Sequence, residues 1–340
     1  MIIAASIAQE RAQELISYLK EHDLFESRYK SSKVDDSLVF AVTAEFELDG
    51  VTFQTVEDNF FPRATRRVTL RDALAEKISK SELDLLKTAF DQVGQIAILE
   101  IDEELRHHEK LIANTLLSLT PAIKTVLRKD GKHQGTFRSQ SMKFLAGIDT
   151  REASFIENGI KMKVDVETVY FSSRLSNERM RIAKQVSEFE EVLVMFSGAA
   201  PQPLTISKYA KPQLITGIEI NPQGHEYGLI NVKLNKMTNI NLLCADVHQI
   251  TPTLQKKFDR IVMNLPKSAY EFLDDAVSLL KPDGVIHYYD FLHESEFDTA
   301  KKRVIAAAKK VGREVTFNGI HTVGSQGIKT YRICLDCIIS

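Results

Sequence analysis

Cysteine is scarce in this chain, long apolar runs are missing, and neither sign of charge dominates. Three cysteines in 340 residues argue against a disulfide framework and fit a reducing compartment. No apolar run approaches the roughly 20 residues needed to span a bilayer, so no membrane association is expected. The amino end, Met1 to Ala8 ahead of Gln9-Glu10-Arg11, lacks the charged start and long apolar centre of a secretion signal. A cytoplasmic protein is expected. The net charge of −2 neither requires nor excludes a nucleic-acid partner. Internal repeats and low-complexity segments are absent too.

Hydrophobic residues make up 44% and charged ones 26%, the balance of a soluble globular protein. The chain is too long for one ordinary core, so two or three domains are expected. Cys334 and Cys337 have the spacing of a redox or zinc half-site. They lie in Tyr331 to Ile339, however, which reads as a strand. Residues three apart on a strand face opposite ways, and no second Cys/His pair accompanies them. Both are expected to be plain strand residues, and no metal is expected.

Residues 1–62 read as a small α+β unit. A helix is predicted from Ala8 to His22, with Ala12, Leu15, Ile16 and Leu19 at helical spacing. Alternating segments Leu38–Thr43 and Phe46–Phe53 follow, with Asp49-Gly50 as a hairpin turn. Phe60-Phe61-Pro62-Arg63 reads as the linker. The middle unit, 63–180, mixes a strand Val93–Ile101, an amphipathic helix Glu103–Leu119, and strands Phe137–Leu145 and Met162–Tyr170. From 181 to 340 the two kinds of element alternate. Strands Glu191–Phe196, Gln213–Ile220, Ile240–Cys244, Phe258–Met263 and Gly284–Phe291 are predicted there. Helices Pro222–Lys236, Lys267–Leu280 and Glu294–Val311 come among them, and Glu314–Ile320 with Lys329–Ile339 form a closing hairpin. Repeated βα units imply an α/β domain with a parallel, doubly wound sheet.

Charge is uneven along the chain. Lys124, Arg128, Lys129, Lys132, Arg138 and Lys143 stand against Asp130 alone. Such a stretch either neutralises phosphates with salt-sensitive affinity or is a solvated loop. A smaller group, Arg63, Arg66, Arg67 and Arg71, lies upstream.

Asn264-Leu265-Pro266 ends one strand and opens a helix. That places a carboxamide at the carboxyl edge of the sheet, where open α/β sheets bind ligands. The Asn can bond the polar edge of a planar nitrogen base, and Pro266 holds the turn without donating an N–H. Many enzymes that use S-adenosylmethionine to methylate base nitrogens carry Asn/Asp-Pro-Pro or Asn-Leu-Pro at this point. The loop after the first strand, Phe196-Ser-Gly198-Ala-Ala-Pro201, keeps one glycine, and the methyls of Ala199 and Ala200 are expected to crowd a ligand. An ordinary tight turn is the alternative. Glu219 ends the second strand and can accept both ribose hydroxyls of an adenosine, or it is a charge favoured at a helix start. Asp246 ends the third strand, where an Asp commonly bonds the adenine amino group. Acid, acid and Asn-x-Pro in that order are far more specific than any one of them, and they predict S-adenosylmethionine as cofactor. Upstream, Ser176 is predicted to cap a helix. Glu178 and Arg181 form an i,i+3 ion pair worth roughly a few tenths of a kcal/mol, or Glu178 accepts a proton near the methyl donor.

On these motifs the chain closely resembles the archaeal and eukaryotic tRNA (guanine-37 N1)-methyltransferase family, from about residue 85 to the end. The resemblance is carried by Phe90–Ile98, Ile123–Val126, Val169–Arg181, Phe196-x-Gly-x-x-Pro201, Glu219–Pro222, Asn264–Pro266 and Gly284–Tyr289. It implies a class I methyltransferase-type sheet with an α+β RNA-binding middle domain and a small α+β amino-terminal domain. It also implies a monomer acting on tRNA, its amino-terminal unit at the elbow and the rest at the anticodon stem-loop. By the resemblance Glu178 is the general base for the guanine N1 proton, Arg138 stabilises charge on O6 and Asn264 holds the base edge. Tyr170, Arg179 and Pro266 would surround the methionine or the target base. Phe196, Gly198, Pro201, Glu219 and Asp246 would complete the cofactor site. Lys124, Arg128, Lys129, Lys132, Arg138 and Arg174 would meet RNA.

The family usually has Asp-x-Phe-x-Gly-x-Gly-Pro in the first loop, where this chain has Val194 for the Asp and Ala200 for the second Gly. Ser173 replaces the usual Pro before Arg174, and Gln95 stands where Asp is frequent. Two other readings follow. One is a related enzyme of wyosine synthesis, transferring methyl or aminocarboxypropyl to a modified guanine. The other is a non-catalytic tRNA-binding homologue with a decayed cofactor loop.

Overall fold

Short apolar runs in the second half of the chain lie side by side because they are buried on both faces, as parallel strands flanked by helices are. The computed structural model describes all residues except 27, 63–67 and 132–139. It divides into two units, Met1–Asp72 and Ala73–Ser340. Among the described residues no helix is long and apolar enough to cross a membrane.

The first unit is an antiparallel sheet of β1 (Ile2–Ala8), β2 (Ser32–Val34), β3 (Ser37–Val42) and β4 (Thr52–Val56), in the order β2-β3-β1-β4. Helix Ala12–Glu21 buries Ala12, Leu15 and Leu19. Its start lies beyond the predicted Ala8 because Ile2–Ala8 is one of the two interior strands. Three alanines blur the alternation of that strand in the sequence. Asp49-Gly50 does turn, with Gly50 at φ +74°, but β4 pairs with β1 and not with β3, so the predicted hairpin is absent. Phe61 is buried with Ala4, Val39 and Ala41, and Lys30 donates its N–H to the Pro62 carbonyl at 2.8 Å. Phe60 to Pro62 therefore belongs to this core and is not a linker.

In the second unit β5 (Asp91–Val93), β6 (Ile96–Leu99), β7 (Thr125–Lys129) and β8 (Met142–Gly147) form a mixed sheet in chain order. The single strand predicted for Val93–Ile101 is instead the turn and second arm of a hairpin, broken at Gly94, whose φ is +57°. The predicted helix Glu103–Leu119 begins as a 3-10 turn and is α-helical from Glu109 to Leu119. β9 (Glu152–Glu157) and β10 (Ile160–Asp165) form a separate hairpin. The Asn231 carboxamide, on helix Pro222–Leu234, bonds both the N–H of Lys163 at 2.7 Å and its carbonyl at 2.9 Å. One apolar cluster holds Ile96, Leu127, Met162 and Val164 together with Ala200 and Leu204, so packing runs unbroken through residue 180.

The main sheet contains β11 (Glu191–Met195), β12 (Leu214–Glu219), β13 (Ile240–Cys244), β14 (Phe258–Met263), β15 (Leu280–His293), β16 (Val315–Gly327) and β17 (Thr330–Ile339). Their order is β13-β12-β11-β14-β15-β17-β16. The first five are parallel and β17 runs antiparallel to both its neighbours. This is the doubly wound α/β sheet with a closing hairpin that the sequence predicts. Leu193 and Met195 enter the core on one face of β11, while Val192 and Val194 enter the core on the other. Cys334 and Cys337 likewise fall in opposite cores, as strand geometry requires. The order reverses between β11 and β14, and that switch point places a crevice at their carboxyl ends.

Candidate active site

Three cavities meet at this crevice, of about 150, 80 and 500 Å³. Tyr170 lines all three.

The 150 Å³ cavity lies over the ends of β12 and β13 and holds Glu219 and Asp246. Glu219 accepts the N–H of Gly198 at 2.6 Å and that of Asn221 at 2.8 Å. Burial pushes its carboxyl up, and those N–H groups pull the other way. A Cβ on Gly224 would lie 3.2 Å from the Glu219 Cγ, so glycine there leaves the acid its room. Asp246 caps helix Val247–Ile250, its Oδ1 accepting the N–H of His248 at 2.8 Å. Phe196 meets Phe272 edge-on with centroids 4.9 Å apart, and His248 stacks on Phe272 at 4.1 Å. An apolar wall with two carboxylates at its rim fits the adenosine part of S-adenosylmethionine, a planar ring carrying two hydroxyls.

The loop between β11 and helix Pro201–Tyr209 bends sharply. Phe196, Gly198 and Ala200 have φ of +61°, +55° and +64°, the left-handed region that costs non-glycine residues about 1–2 kcal/mol. Ala200 is fully buried, and a Cβ on Gly228 would lie 3.6 Å from its methyl. Neither Ala199 nor Ala200 lines the cavities. The expected crowding of a ligand by these methyls is therefore not found. Val194 is fully buried beside Ile182, Ala183, Val262, Tyr289 and Cys334 and also faces away from the ligand space.

The 80 Å³ cavity is lined by Glu178, Asn264, Pro266, Pro201 and Gly198. Glu178 sits on helix Ser176–Ala183, which starts at Leu175 with no side-chain cap. Ser176 does not cap it; its Oγ instead accepts from the Asn158 carboxamide at 3.0 Å. Arg181 grips Glu178 with both arms, Nε to Oε2 at 2.7 Å and Nη2 to Oε1 at 2.8 Å. Tyr289 donates its hydroxyl to Oε1 at 2.5 Å. Burial pushes the Glu178 carboxyl up, but these bonds outweigh it and hold it below the ordinary carboxylate range. It is ionised at neutral pH and can accept a proton. The Asn264 carboxamide has no hydrogen-bond partner among the described residues and is free to bond a base edge.

Behind Glu178 runs a buried polar chain that no sequence motif announces. Arg181 also reaches Asp336, Nη1 to Oδ2 at 2.5 Å. Asp336 takes the Nδ1–H of His287 at 2.7 Å, and Arg260 lies 2.7 Å from the Nε2. Burial lowers the pKa of His287, and as a neutral ring it donates from Nδ1 and accepts at Nε2. Arg260 continues to Glu190 at 2.6 Å. Tyr289 and His287 lie within Gly284–Tyr289, but their bonds depend on β15–β17 register.

Arg179 lines the small cavity, yet its fork is occupied by Glu157 at 2.7 and 2.5 Å and by the Ser172 carbonyl at 3.1 Å. It holds the 171–172 segment. The basic stretch is similarly engaged. Arg128 is buried against Glu109 at 3.2 Å and Asp130 at 3.0 Å, so its guanidinium is engaged within the fold. Lys129 pairs with Asp91 and Glu100, Lys143 with Glu109, and Arg174 with Asp91. The sequence shows Asp130 alone, but the fold brings these other acids alongside. Lys124 is exposed. Lys132 and Arg138 lie outside the described residues, as do Arg63, Arg66 and Arg67. The 500 Å³ cavity opens between β5 to β8 and the β16–β17 hairpin, with Lys129, Arg174 and Arg332 on its walls.

Two side-chain sets bring metal-ligand atoms within 4.8 Å of one another, Glu82 with His107 and His108, and His287 with Cys334 and Asp336. In the second, both ring nitrogens of His287 are hydrogen-bonded and two arginines stand beside it. In the first, Glu82 belongs to a capping box with Ser79.

The model of the TRM5/TYW2 methyltransferase domain matches residues 154–316, and that of the TYW2 N-terminal domain matches residues 70–150. The tRNA (guanine(37)-N(1))-methyltransferase Trm5b of Pyrococcus abyssi is 33% identical over 341 residues, covering 100% of both chains. The crystal structure of that wild-type Trm5b superposes with a TM-score of 0.75 at 32% identity over 100% of each chain. The complex of aTrm5 with tRNALeu gives 0.71 at 28% identity, covering 99% of this chain and 100% of that one. With this sheet order, this crevice and a relative matched from end to end, the chain belongs to the TRM5/TYW2 methyltransferase family.

Proposed function

We propose that this protein transfers the methyl group of S-adenosylmethionine to N1 of guanosine 37 in tRNA, acting as a cytoplasmic monomer. The observation that carries this reading is Glu178, an ionised carboxylate held by Arg181 and Tyr289 on the wall it shares with Asn264. End-to-end similarity to a tRNA (guanine(37)-N(1))-methyltransferase supports it.

When bound, S-adenosylmethionine supplies a methyl on a positively charged sulfur. Glu219 and Asp246 would hold its adenosine end, and Gly198, Pro201 and Pro266 would bound its methionine end. Guanine N1–H is too weak an acid to ionise freely at neutral pH. Glu178 accepts that proton at its carboxylate, which leaves N1 nucleophilic toward the methyl donor. Asn264 fixes the base edge, which supplies the orientation term. By the family resemblance, Arg138 would stabilise the negative charge that develops on O6. The guanine must leave its stack to reach this space, and a loop base is cheap to extrude. The amino-terminal unit meets the tRNA elbow.

A second reading is favoured by the match of residues 70–150 to the TYW2 N-terminal domain. It is methyl or aminocarboxypropyl transfer to a modified G37, as in wyosine synthesis. Incubation of the protein with unmodified tRNA transcripts and labelled S-adenosylmethionine, followed by mass spectrometry of the nucleosides, separates the two. The expected product is 1-methylguanosine at position 37, and none from a transcript with adenosine there. Transfer only to tRNA carrying a wyosine precursor would replace the first reading with the second.

A further inference from the structure

Antiparallel pairing of β15 with β17 sets three side-chain pairs on one face, His287 with Asp336, Tyr289 with Cys334, and Phe291 with Arg332. Successive pairs step outward along the strands by about 7 Å. The innermost belongs to the buried chain behind Glu178, and the next carries the hydroxyl bonded to Glu178. Arg332 is the outermost, where the 80 and 500 Å³ cavities join, and it lines both.

Its guanidinium is held but not neutralised. The carbon of the fork lies 5.1 Å from the centroid of the Phe291 ring, and Nη2 donates to the Tyr170 hydroxyl at 3.2 Å. Nε is buried and has no hydrogen-bond partner. The other cations on the wall of the large cavity are paired. Lys87 has Asp102 at 2.5 Å, Lys129 has Asp91 and Glu100, and Arg174 has Asp91 at 2.5 Å. Among the described residues no carboxylate lies within salt-bridge distance of Arg332. A buried N–H left unbonded is costly, and a guanidinium braced on an aromatic ring presents a planar fork suited to two oxygens of one anion.

We propose that Arg332 is a phosphate-binding residue that seats the sugar–phosphate backbone of the extruded target nucleotide at the mouth of the transfer cavity. The inference rests on the RNA-methylation reading above. A base drawn into the 80 Å³ cavity leaves its phosphodiester in the wider one, and Arg332 stands at the junction. Contact with a phosphate strengthens binding and registers the base without acting on the reacting atoms.

The test is binding of an unmodified tRNA transcript in the presence of S-adenosylhomocysteine, measured across a salt series for wild type, Arg332→Ala and Arg332→Lys. Arg332→Ala should weaken binding about tenfold and reduce the slope of log K against log salt by about one. Arg332→Lys keeps the charge and should restore most of both. Under turnover conditions the Ala variant should raise KM more than it lowers kcat. If Arg332→Ala fails to fold, Arg332→Gln must show the same loss of slope. Unchanged affinity and slope, or a loss confined to the single-turnover rate, would overturn the proposal. Binding is read without methyl transfer. A wild-type protein that binds no tRNA therefore removes the methylation reading itself, and this inference with it. A variant that binds like wild type removes only the role of Arg332.

Discussion

The Tyr289 hydroxyl donates to Oε1 of Glu178 at 2.5 Å, across 111 residues of sequence. With Arg181 on both carboxylate oxygens, this bond fixes the rotamer and the ionisation of the acid at once. A carboxylate so held is always charged at neutral pH and always aimed.

Glu178→Gln keeps the shape and loses the base. Methyl transfer in a single turnover should fall by roughly 10²–10⁴, the scale of general-base removal, while S-adenosylmethionine binding by titration stays at the wild-type value. A rate within about threefold of wild type would leave Glu178 a structural ion-pair partner only.

Tyr289→Phe tests the tuning. Burial raises the Glu178 pKa, and the bonds from Arg181 and Tyr289 bring the net shift below the ordinary value. The base form is present above that lowered pKa and is lost as pH falls through it. Removing the hydroxyl removes one lowering cause, so the pKa rises and the acid limb of the single-turnover rate profile should move to higher pH. A limb that stays in place would mean that Arg181 alone sets the charge.

The parallel sheet was legible because its strands are short apolar runs followed by amphipathic helices, and Glu219, Asp246 and Asn264 sit at strand ends, where α/β geometry places ligands. Glu178 itself was legible only through its motif. Of its supports, Arg181 was legible as the i,i+3 partner, but Tyr289, which bonds Glu178, and Asp336, which bonds Arg181, arrive through strand pairing at long sequence separation. Charge along the chain misled for the same reason. Arg128 reads as one of six basic residues, but Glu109, on a different element, takes its guanidinium. Strand β1 escaped notice because alanine and serine give little alternation.

Arg128→Ala should therefore act on stability and not on RNA. It leaves the Glu109 carboxylate buried with only the Lys143 ammonium at 2.5 Å. Loss of one partner from a buried pair costs about 3–5 kcal/mol, reduced here by that lysine. Denaturant unfolding should show the loss, and the salt slope of tRNA binding should not change. A slope lowered by one with stability intact would return Arg128 to the phosphate contacts.

Restoring the family's loop residues should not tighten cofactor binding. Val194 packs among apolar side chains, so Val194→Asp buries a carboxylate and should cost about 3 kcal/mol or more of stability. Ala200→Gly relieves a left-handed residue, a gain of about 1 kcal/mol. It also deletes a buried methyl worth about 0.8 kcal/mol, and the two nearly cancel. Thermal melts and S-adenosylmethionine titrations of both variants decide the point. A tenfold gain in affinity from either one would show that the loop reaches the ligand after all.

Deletion of residues 1–72 should leave a folded protein that binds S-adenosylmethionine with wild-type affinity. The residues that line the three cavities all fall within Ala73–Ser340, and the core of the first unit is built from its own strands and helix. If that unit meets the tRNA elbow, the full chain should methylate whole tRNA with higher kcat/KM than an isolated anticodon stem-loop. The shortened chain should treat the two substrates alike, because the stem-loop lacks the part of tRNA that the missing unit would touch. Measuring kcat/KM for both substrates with both proteins gives four values and one ratio of ratios. A ratio near one, with activity lowered equally on both substrates, would make the first unit a support for stability and not a sensor of tRNA shape.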